Sequence, residues 1–145
     1  MLERPRENRL AAESRSPAAA ILLVEDGRTY SELALVLLAD LGHSVRHALT
    51  AEEGLRLARA APPDVVLMDL NLPGMDGFGA VRVLRADPQT QHIPTIALTG
   101  DTRLNEQERL KAIEAGFDAY HTKPIDKAAF RALLQPFLSP GGRER

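Results

Sequence analysis

The feature that most constrains the fold of this chain is the alternation of short apolar runs with longer amphipathic segments. Apolar runs of strand length occur at residues 20–24, 45–48, 64–68, 93–98 and 119–121. Three of these runs, AAILLV, DVVLM and IPTIAL, contain few polar residues. Such composition is typical of strands that are covered on both faces, as in a parallel sheet.

Helical patterns separate and follow these runs. Apolar side chains recur at helical spacing within residues 28–41, 51–60, 77–86, 103–115 and 126–138. Gly42, Gly116 and Pro88 lie where helices are expected to end. Five β units that alternate with five α units predict an α/β fold: a doubly wound, five-stranded parallel sheet with helices on both faces.

The two ends of the chain lack this alternation. Residues 1–18 are rich in Arg and Glu and have no sustained period, so we predict a flexible charged N-terminal arm. Residues 139–145, SPGGRER, are predicted to be a C-terminal tail. One domain over residues 19–138 is the expectation for a chain of this length.

Composition excludes several classes of protein. The net charge of −2 lacks the basic surplus that is usual in nucleic-acid-binding proteins, and the absence of cysteine excludes disulfides and thiolate metal sites. No apolar run approaches the roughly 20 residues of a membrane helix, and the first residues lack the apolar core of a signal peptide. We therefore expect a cytoplasmic protein that binds neither nucleic acid nor membranes.

Polar residues follow four of the predicted strands. Glu25 and Asp26 come after the first, Asp69 after the third, Thr99 after the fourth and Lys123 after the fifth. Ligands of parallel sheets bind beyond the carboxyl ends of the strands, where these groups would meet. The sequence therefore predicts a pocket that contains three carboxylates, one hydroxyl and one ammonium.

The charges in this pocket indicate its chemistry. Crowded carboxylates repel one another unless a cation lies between them. Because all the ligands are oxygen, a hard ion such as Mg²⁺ is favoured. A carboxylate in such a site can attack phosphorus and form an aspartyl phosphate, while the metal ion and a lysine neutralise the transferred group.

Four motifs, ILLVEDGR, VVLMDLNLPGMDG, IPTIALTGD and GFDAYHTKPID, resemble the receiver domain of two-component response regulators. They span about residues 19–138, and their order and spacing fit that family. The resemblance implies the flavodoxin-like strand order 2-1-3-4-5. Since one receiver occupies most of the chain, it looks like the stand-alone receivers of chemotaxis and cell-cycle control.

The resemblance also implies roles for the pocket residues. Asp69 would be the phosphoacceptor and a ligand of Mg²⁺. Asp26 would bind the ion directly, Asn71 through its backbone carbonyl, and Glu25 through a water molecule. Gly27 departs from the family pattern, in which a polar residue often follows the acidic pair.

Three further roles follow from the same resemblance. Lys123 would pair with the acceptor and then with the phosphoryl group, Thr99 would hydrogen-bond that group, and Tyr120 would turn inward when Thr99 moves.

The resemblance also implies the partners. The phosphoryl group would come from a sensor histidine kinase or a histidine phosphotransfer protein, and a downstream protein target would bind according to the phosphorylation state. Such a protein is not an enzyme in the usual sense, because it catalyses only its own phosphotransfer and dephosphorylation.

Three alternative functions could be assigned to a fold and pocket of this kind. A phosphatase or mutase with an aspartate nucleophile needs a second Asp two residues later, where this chain has Asn71. A nucleotide- or flavin-binding domain needs a glycine- or hydroxyl-rich loop after the first strand, where this chain has Glu25 and Asp26. The remaining alternative is a receiver-like module that binds partners independently of phosphorylation, although such modules usually lack the acceptor or the lysine.

Overall fold

The five apolar runs form one parallel sheet in the computed structural model, which describes residues 18–100, 106–123 and 126–138. The strands are β1 (Ala20–Val24), β2 (Ser44–Ala48), β3 (Val65–Asp69), β4 (Thr95–Thr99) and β5 (Ala119–Thr122). Their order across the sheet is β2-β1-β3-β4-β5, with every pair parallel, which confirms the predicted topology. The strand order reverses between β1 and β3, the usual position of a ligand site in such sheets.

Five helices are described alongside the sheet. They are α1 (Arg28–Asp40), α2 (Ala51–Ala60), α3 (Gly77–Ala86), α4 (Glu106–Ala115) and α5 (Lys127–Leu138). Three of them begin with a side-chain cap: Thr50 accepts a hydrogen bond from Glu53 N at 3.1 Å, Asp76 accepts one from Gly79 N at 2.9 Å, and Asp126 accepts one from Ala129 N at 2.8 Å. No helix within the described ranges is long and apolar enough to cross a membrane.

Successive residues of a strand point to opposite sides, and the central strands β1, β3 and β4 bury side chains on both faces. Leu22 and Val24 of β1 face the core layer that contains α2, α3 and α4, whereas Ile21 and Leu23 face the layer that contains α1 and α5. Both faces are therefore apolar along β1 and β3. This double burial explains why the central strands appear in the sequence as continuous apolar runs.

Helices α1 and α4 bury mainly small residues and leave several large apolar residues exposed. In α1 the buried residues are Ser31, Ala34 and Leu38, while Leu33 and Val36 are exposed. In α4 they are Ala112 and Ala115, while Leu110 and Ile113 are exposed. The periodicity identified both helices correctly but did not fix which side of each faces the sheet.

Polar side chains at the amino ends of the strands bind the backbone. Asp64 Oδ2 accepts a hydrogen bond from Ala20 N at 2.8 Å, and His43 Nδ1 accepts one from Ala19 N at 3.1 Å. Asp118 Oδ2 accepts from Thr95 N at 2.8 Å. We call this part of the molecule the amino edge of the sheet, and these bonds join neighbouring strands at the points where they begin.

The predicted arm over residues 1–18 lies outside the described residues except for Ala18, and the predicted tail over residues 139–145 lies outside them entirely. The domain boundaries at these ends stay predictions. Strand β1 begins close to the predicted start of the domain, and α5 ends at Leu138.

Candidate functional site

Two buried carboxylates share one ammonium at the carboxyl ends of the strands, which we call the carboxyl edge. Lys123 Nζ lies 2.6 Å from Glu25 Oε1 and 3.2 Å from Asp69 Oδ2. The side chains of Glu25 and Asp69 are only 2% and 6% exposed, so water contributes little to their solvation. Glu25 directly follows β1, Asp69 ends β3 and Lys123 directly follows β5. They meet because the carboxyl ends of parallel strands lie at one edge of the sheet.

The backbone places Asp69 at this edge. Asp69 is the last residue of β3 and still pairs with Leu98 of β4. The first turn of α3 packs directly on the backbone of Asp69. The approach is so close that a Cβ atom at Gly77 would lie 2.6 Å from the Asp69 carbonyl oxygen. Gly77 thus permits a close approach that encloses the aspartate between strand and helix.

Each buried carboxylate binds one backbone N–H in addition to Lys123. Asp69 Oδ1 accepts a hydrogen bond from Asn71 N at 3.0 Å, and Glu25 Oε2 accepts one from Gly27 N at 2.9 Å. A Cβ atom at Gly27 would lie 2.8 Å from Glu25 Oε2, so a larger residue here would require the end of the Glu25 side chain to shift.

The pocket carries more negative than positive charge. Burial raises the pKa of the Glu25 carboxyl, the hydrogen bond from Lys123 acts in the opposite direction, and the nearby charge of Asp69 raises it further. Exposed Asp26 adds a third carboxylate, and one oxygen from each of Glu25, Asp26 and Asp69 lies within 4.8 Å of the others. Three carboxylate oxygens at this spacing are compatible with a Mg²⁺ ion, which would offset the excess charge.

Thr99 and Tyr120 lie on the two strands beside the pocket. Thr99 is buried at the end of β4, and its carbonyl oxygen accepts a hydrogen bond from Lys123 N at 2.7 Å. Tyr120 is half-buried on β5, directly opposite Ala97, and its hydroxyl donates to Glu108 Oε1 of α4 at 2.7 Å. The hydroxyl of Tyr120 thus connects β5 to α4.

The structure brings all the predicted site residues to the carboxyl edge or beside it. The centre of the edge is formed by Glu25, Asp26, Asp69 and Lys123. Asn71 donates its backbone N–H to Asp69, and Thr99 and Tyr120 lie on β4 and β5. The roles expected of the individual residues stay predictions.

Sequence reasoning missed Tyr30 and Glu108. The Tyr30 ring centroid lies 4.6 Å from Lys123 Nζ, and the Tyr30 hydroxyl is buried without a hydrogen-bond partner in the described part of the chain. Burial raises the pKa of this phenol, and the charges of Glu25 and Asp69 raise it further. The available signal was positional: Tyr30 lies in the first helical turn after Glu25 and Asp26, where side chains can face the pocket.

Comparison with known proteins agrees with this geometry. The family model for the response regulator receiver domain matches residues 21–135. The chain is 39% identical over 121 residues to the protein PilH of Pseudomonas aeruginosa, and the match covers 83% of this chain and 98% of PilH.

Two solved structures have the same fold. A putative response regulator from Chloroflexus aurantiacus superposes with a TM-score of 0.78 at 28% identity, covering 83% of this chain and 98% of the other. The receiver domain of a Pseudomonas aeruginosa sensor histidine kinase superposes with a TM-score of 0.76 at 31% identity, again covering 83% and 98%. That second structure contains a magnesium ion coordinated in its active-site cleft.

Proposed function

The chain belongs to the response-regulator receiver family, and on that premise we propose that Asp69 accepts a phosphoryl group in a Mg²⁺-dependent reaction. One observation carries the proposal: Asp69 is a buried carboxylate whose two oxygens are oriented by Asn71 N and Lys123 Nζ, at 3.0 and 3.2 Å. A nucleophile held in one orientation needs less reorganisation to reach the phosphorus atom.

The chemistry is the transfer of one phosphoryl group. A carboxylate oxygen of Asp69 forms a bond to phosphorus, and the bond to the donor breaks, which for a phosphohistidine is the P–N bond. The product is an acyl phosphate, and the imidazole leaves with its electron pair and takes up a proton. The chain speeds this transfer and the later hydrolysis on itself, without turning over a separate substrate.

Asp26, Asp69 and the Asn71 carbonyl would hold Mg²⁺, with Glu25 acting through a water molecule. The carboxylates that cluster at this edge supply the oxygen ligands that Mg²⁺ prefers. When bound, the ion would neutralise charge on the phosphoryl oxygens. Lys123 would complete this neutralisation from the side of β5.

The same proposal assigns the output to Thr99 and Tyr120. A phosphoryl group on Asp69 adds acceptor oxygens beside the buried end of β4, and the Thr99 hydroxyl would move to donate to one of them. The Tyr120 ring would then turn inward and release Glu108, to which its hydroxyl now donates. A charge change at the pocket would in this way become a packing change at α4 and β5.

The donor would be a sensor histidine kinase or a histidine phosphotransfer protein, and the signal would pass to a downstream protein target. A target must bind the two states with different affinity, since equal affinity would leave the equilibrium unchanged. The cytoplasmic location expected from the sequence stays a prediction.

The acceptor is tested by incubation with acetyl phosphate and Mg²⁺, followed by intact-protein mass spectrometry. We expect one phosphoryl adduct on the wild type and none on Asp69→Asn. The matched control is Asp64→Asn at the other end of the third apolar segment, which should be labelled like the wild type. Labelling of Asp69→Asn would place the acceptor on another residue.

The metal site is tested by calorimetric titration with Mg²⁺. Asp26→Ala should bind the ion much more weakly than the wild type, because it removes one of the clustered carboxylates. Glu114→Ala, which removes an exposed carboxylate of α4 outside this cluster, is the control and should bind normally. Equal affinity of Asp26→Ala and wild type would exclude Asp26 as a ligand.

A further inference from the structure

The ammonium of Lys123 has an aromatic neighbour in addition to the two carboxylates. Its Nζ atom lies 4.6 Å from the centroid of the Tyr30 ring, which is within the distance of about 6 Å at which cation–π attraction acts. The ring packs against the core between the sheet, α1 and α5. The Tyr30 side chain is therefore fixed by packing, whereas lysine has a flexible stem.

The two carboxylates do not fix Lys123 at the acceptor. The ammonium lies nearer to Glu25 Oε1, at 2.6 Å, than to Asp69 Oδ2, at 3.2 Å. A metal ion at this edge would draw on carboxylate oxygens of the same two residues and would repel the ammonium. Three groups among the described residues contact Lys123 Nζ: two carboxylates and the Tyr30 ring. A bound metal ion would compete for the carboxylates but not for the ring.

We propose that Tyr30 is a positioning residue of this site, whose ring face holds the Lys123 ammonium beside Asp69 when the carboxylates are engaged by metal and phosphoryl group. The proposal rests on the proposed function of Asp69. The ring face is the active part of Tyr30, because the hydroxyl has no hydrogen-bond partner in the part of the chain that the structure describes. Phenylalanine should therefore replace tyrosine here, and an aliphatic residue should not.

The chain provides its own reference signals for a test by NMR, since its lysines are Lys111, Lys123 and Lys127. Lys111 Nζ lies over another ring, 4.5 Å from the centroid of Phe78, while Lys127 pairs with Asp40. In protein labelled with ¹³C-lysine, ring currents should shift the ε-methylene protons of Lys111 and Lys123 upfield of those of Lys127. For Lys123 this shift should persist when Mg²⁺ is added.

Variants at Tyr30 then separate the ring from the hydroxyl. Tyr30→Phe should keep the upfield shift of Lys123, and Tyr30→Leu and Tyr30→Met should lose it, with the Lys111 signals unchanged in all three. Tyr30→Met is included because the long, flexible methionine side chain fills the space of the ring better than leucine does, so this variant is less prone to unfold.

Kinetics of phosphorylation by acetyl phosphate at saturating Mg²⁺ complete the test. Tyr30→Leu and Tyr30→Met should react roughly tenfold more slowly than the wild type, the loss expected from one partly desolvated cation–π contact. Tyr30→Phe should react at close to the wild-type rate. Calorimetric Mg²⁺ affinity should be similar in all variants, because the ring holds the lysine and not the ion.

Three results would overturn the proposal. Tyr30→Phe as slow as Tyr30→Leu would assign the effect to the hydroxyl, and a Lys123 shift that survives in Tyr30→Leu would show that the ring does not contact the ammonium. A wild type with the ring shift but no adduct on Asp69 would overturn the proposed function and the positioning role together, while the contact itself would stand.

Discussion

The two edges of the sheet use polar side chains in opposite ways. At the amino edge, His43, Asp64 and Asp118 each accept a hydrogen bond from the backbone of a neighbouring strand. At the carboxyl edge, Glu25 and Asp69 are buried and turn toward one ammonium, that of Lys123. The first arrangement satisfies backbone groups, and the second concentrates charge that the fold does not balance.

This difference indicates what each edge contributes. Side chains that accept hydrogen bonds from backbone N–H groups remove the penalty of leaving those groups unpaired and stabilise the fold. Two buried carboxylates lose the solvation that water would provide, and their contacts with a single ammonium do not fully replace it. We infer that the amino edge stabilises the domain, whereas the carboxyl edge loses stability by holding the charge that the proposed phosphoryl chemistry requires.

The largest change in stability is expected for Arg85→Ala. The Arg85 guanidinium donates to Gly116 O at 2.9 Å, to the carbonyl oxygens of Gln91 and Ile93 at 3.0 and 2.9 Å, and to Asp118 Oδ2 at 2.9 Å. Its loss should lower the free energy of unfolding by about 2–3 kcal/mol, because partly buried acceptors lose a charged donor. Urea denaturation measures the effect.

The control for this prediction is Arg82→Ala, which removes an exposed arginine from the same helix and should change stability little. The folded fraction of Arg85→Ala should still accept a phosphoryl group at the wild-type rate. A variant that keeps its stability but loses phosphorylation would break the distinction between the two edges.

A smaller change of opposite sign is expected for Tyr30→Phe at the carboxyl edge. The variant removes a buried hydroxyl that has no hydrogen-bond partner among the described residues. It should raise the free energy of unfolding by about 1 kcal/mol, since an unpaired buried polar group no longer has to be desolvated. A loss of stability in urea would mean that the hydroxyl has a partner and that the edge is better satisfied than we infer.

The smallest effect concerns His43 and pH. Burial lowers the pKa of His43 below its ordinary value of 6.5, and Nδ1 must be unprotonated to accept from Ala19 N. The unfolded chain therefore binds more protons than the folded one, so stability is lost as pH falls from 6.5 toward the folded pKa. His43→Asn should flatten this loss in urea titrations, and the exposed His92→Asn should not. Parallel curves for wild type and His43→Asn would contradict the assignment.

The sequence predicted the sheet well because of how its strands are buried. Segments covered on both faces must be apolar throughout, so β1, β3 and β4 stand out as continuous runs. The third run was expected to end at residue 68, whereas β3 includes Asp69, because the aspartate still pairs with Leu98 although its side chain belongs to the pocket. Strand pairing extends one residue beyond the apolar run.

Helix orientation and local contacts were harder to predict. Ala34 and Ala112 face the sheet because small side chains let a helix approach closely, but apolar periodicity is dominated by large residues such as Leu33 and Leu110. The acidic pocket was predictable because strand ends of a parallel sheet converge. The contact of Tyr30 with Lys123 was not, since it depends on the rotation of α1 about its own axis.

The central claim is that the carboxyl edge holds unbalanced charge for chemistry while the amino edge stabilises the fold. It is tested most directly by urea denaturation of Asp69→Asn and Asp64→Asn, without and with Mg²⁺. Without the ion, the free energy of unfolding of Asp64→Asn should fall by about 1 kcal/mol, because its hydrogen bond with Ala20 N loses a charged acceptor. The free energy of unfolding of Asp69→Asn should rise by about as much, because one buried charge is removed. Saturating Mg²⁺ should stabilise the wild type and Asp64→Asn but scarcely Asp69→Asn. A destabilised Asp69→Asn without Mg²⁺, or equal stabilisation of all three proteins by Mg²⁺, would contradict the claim.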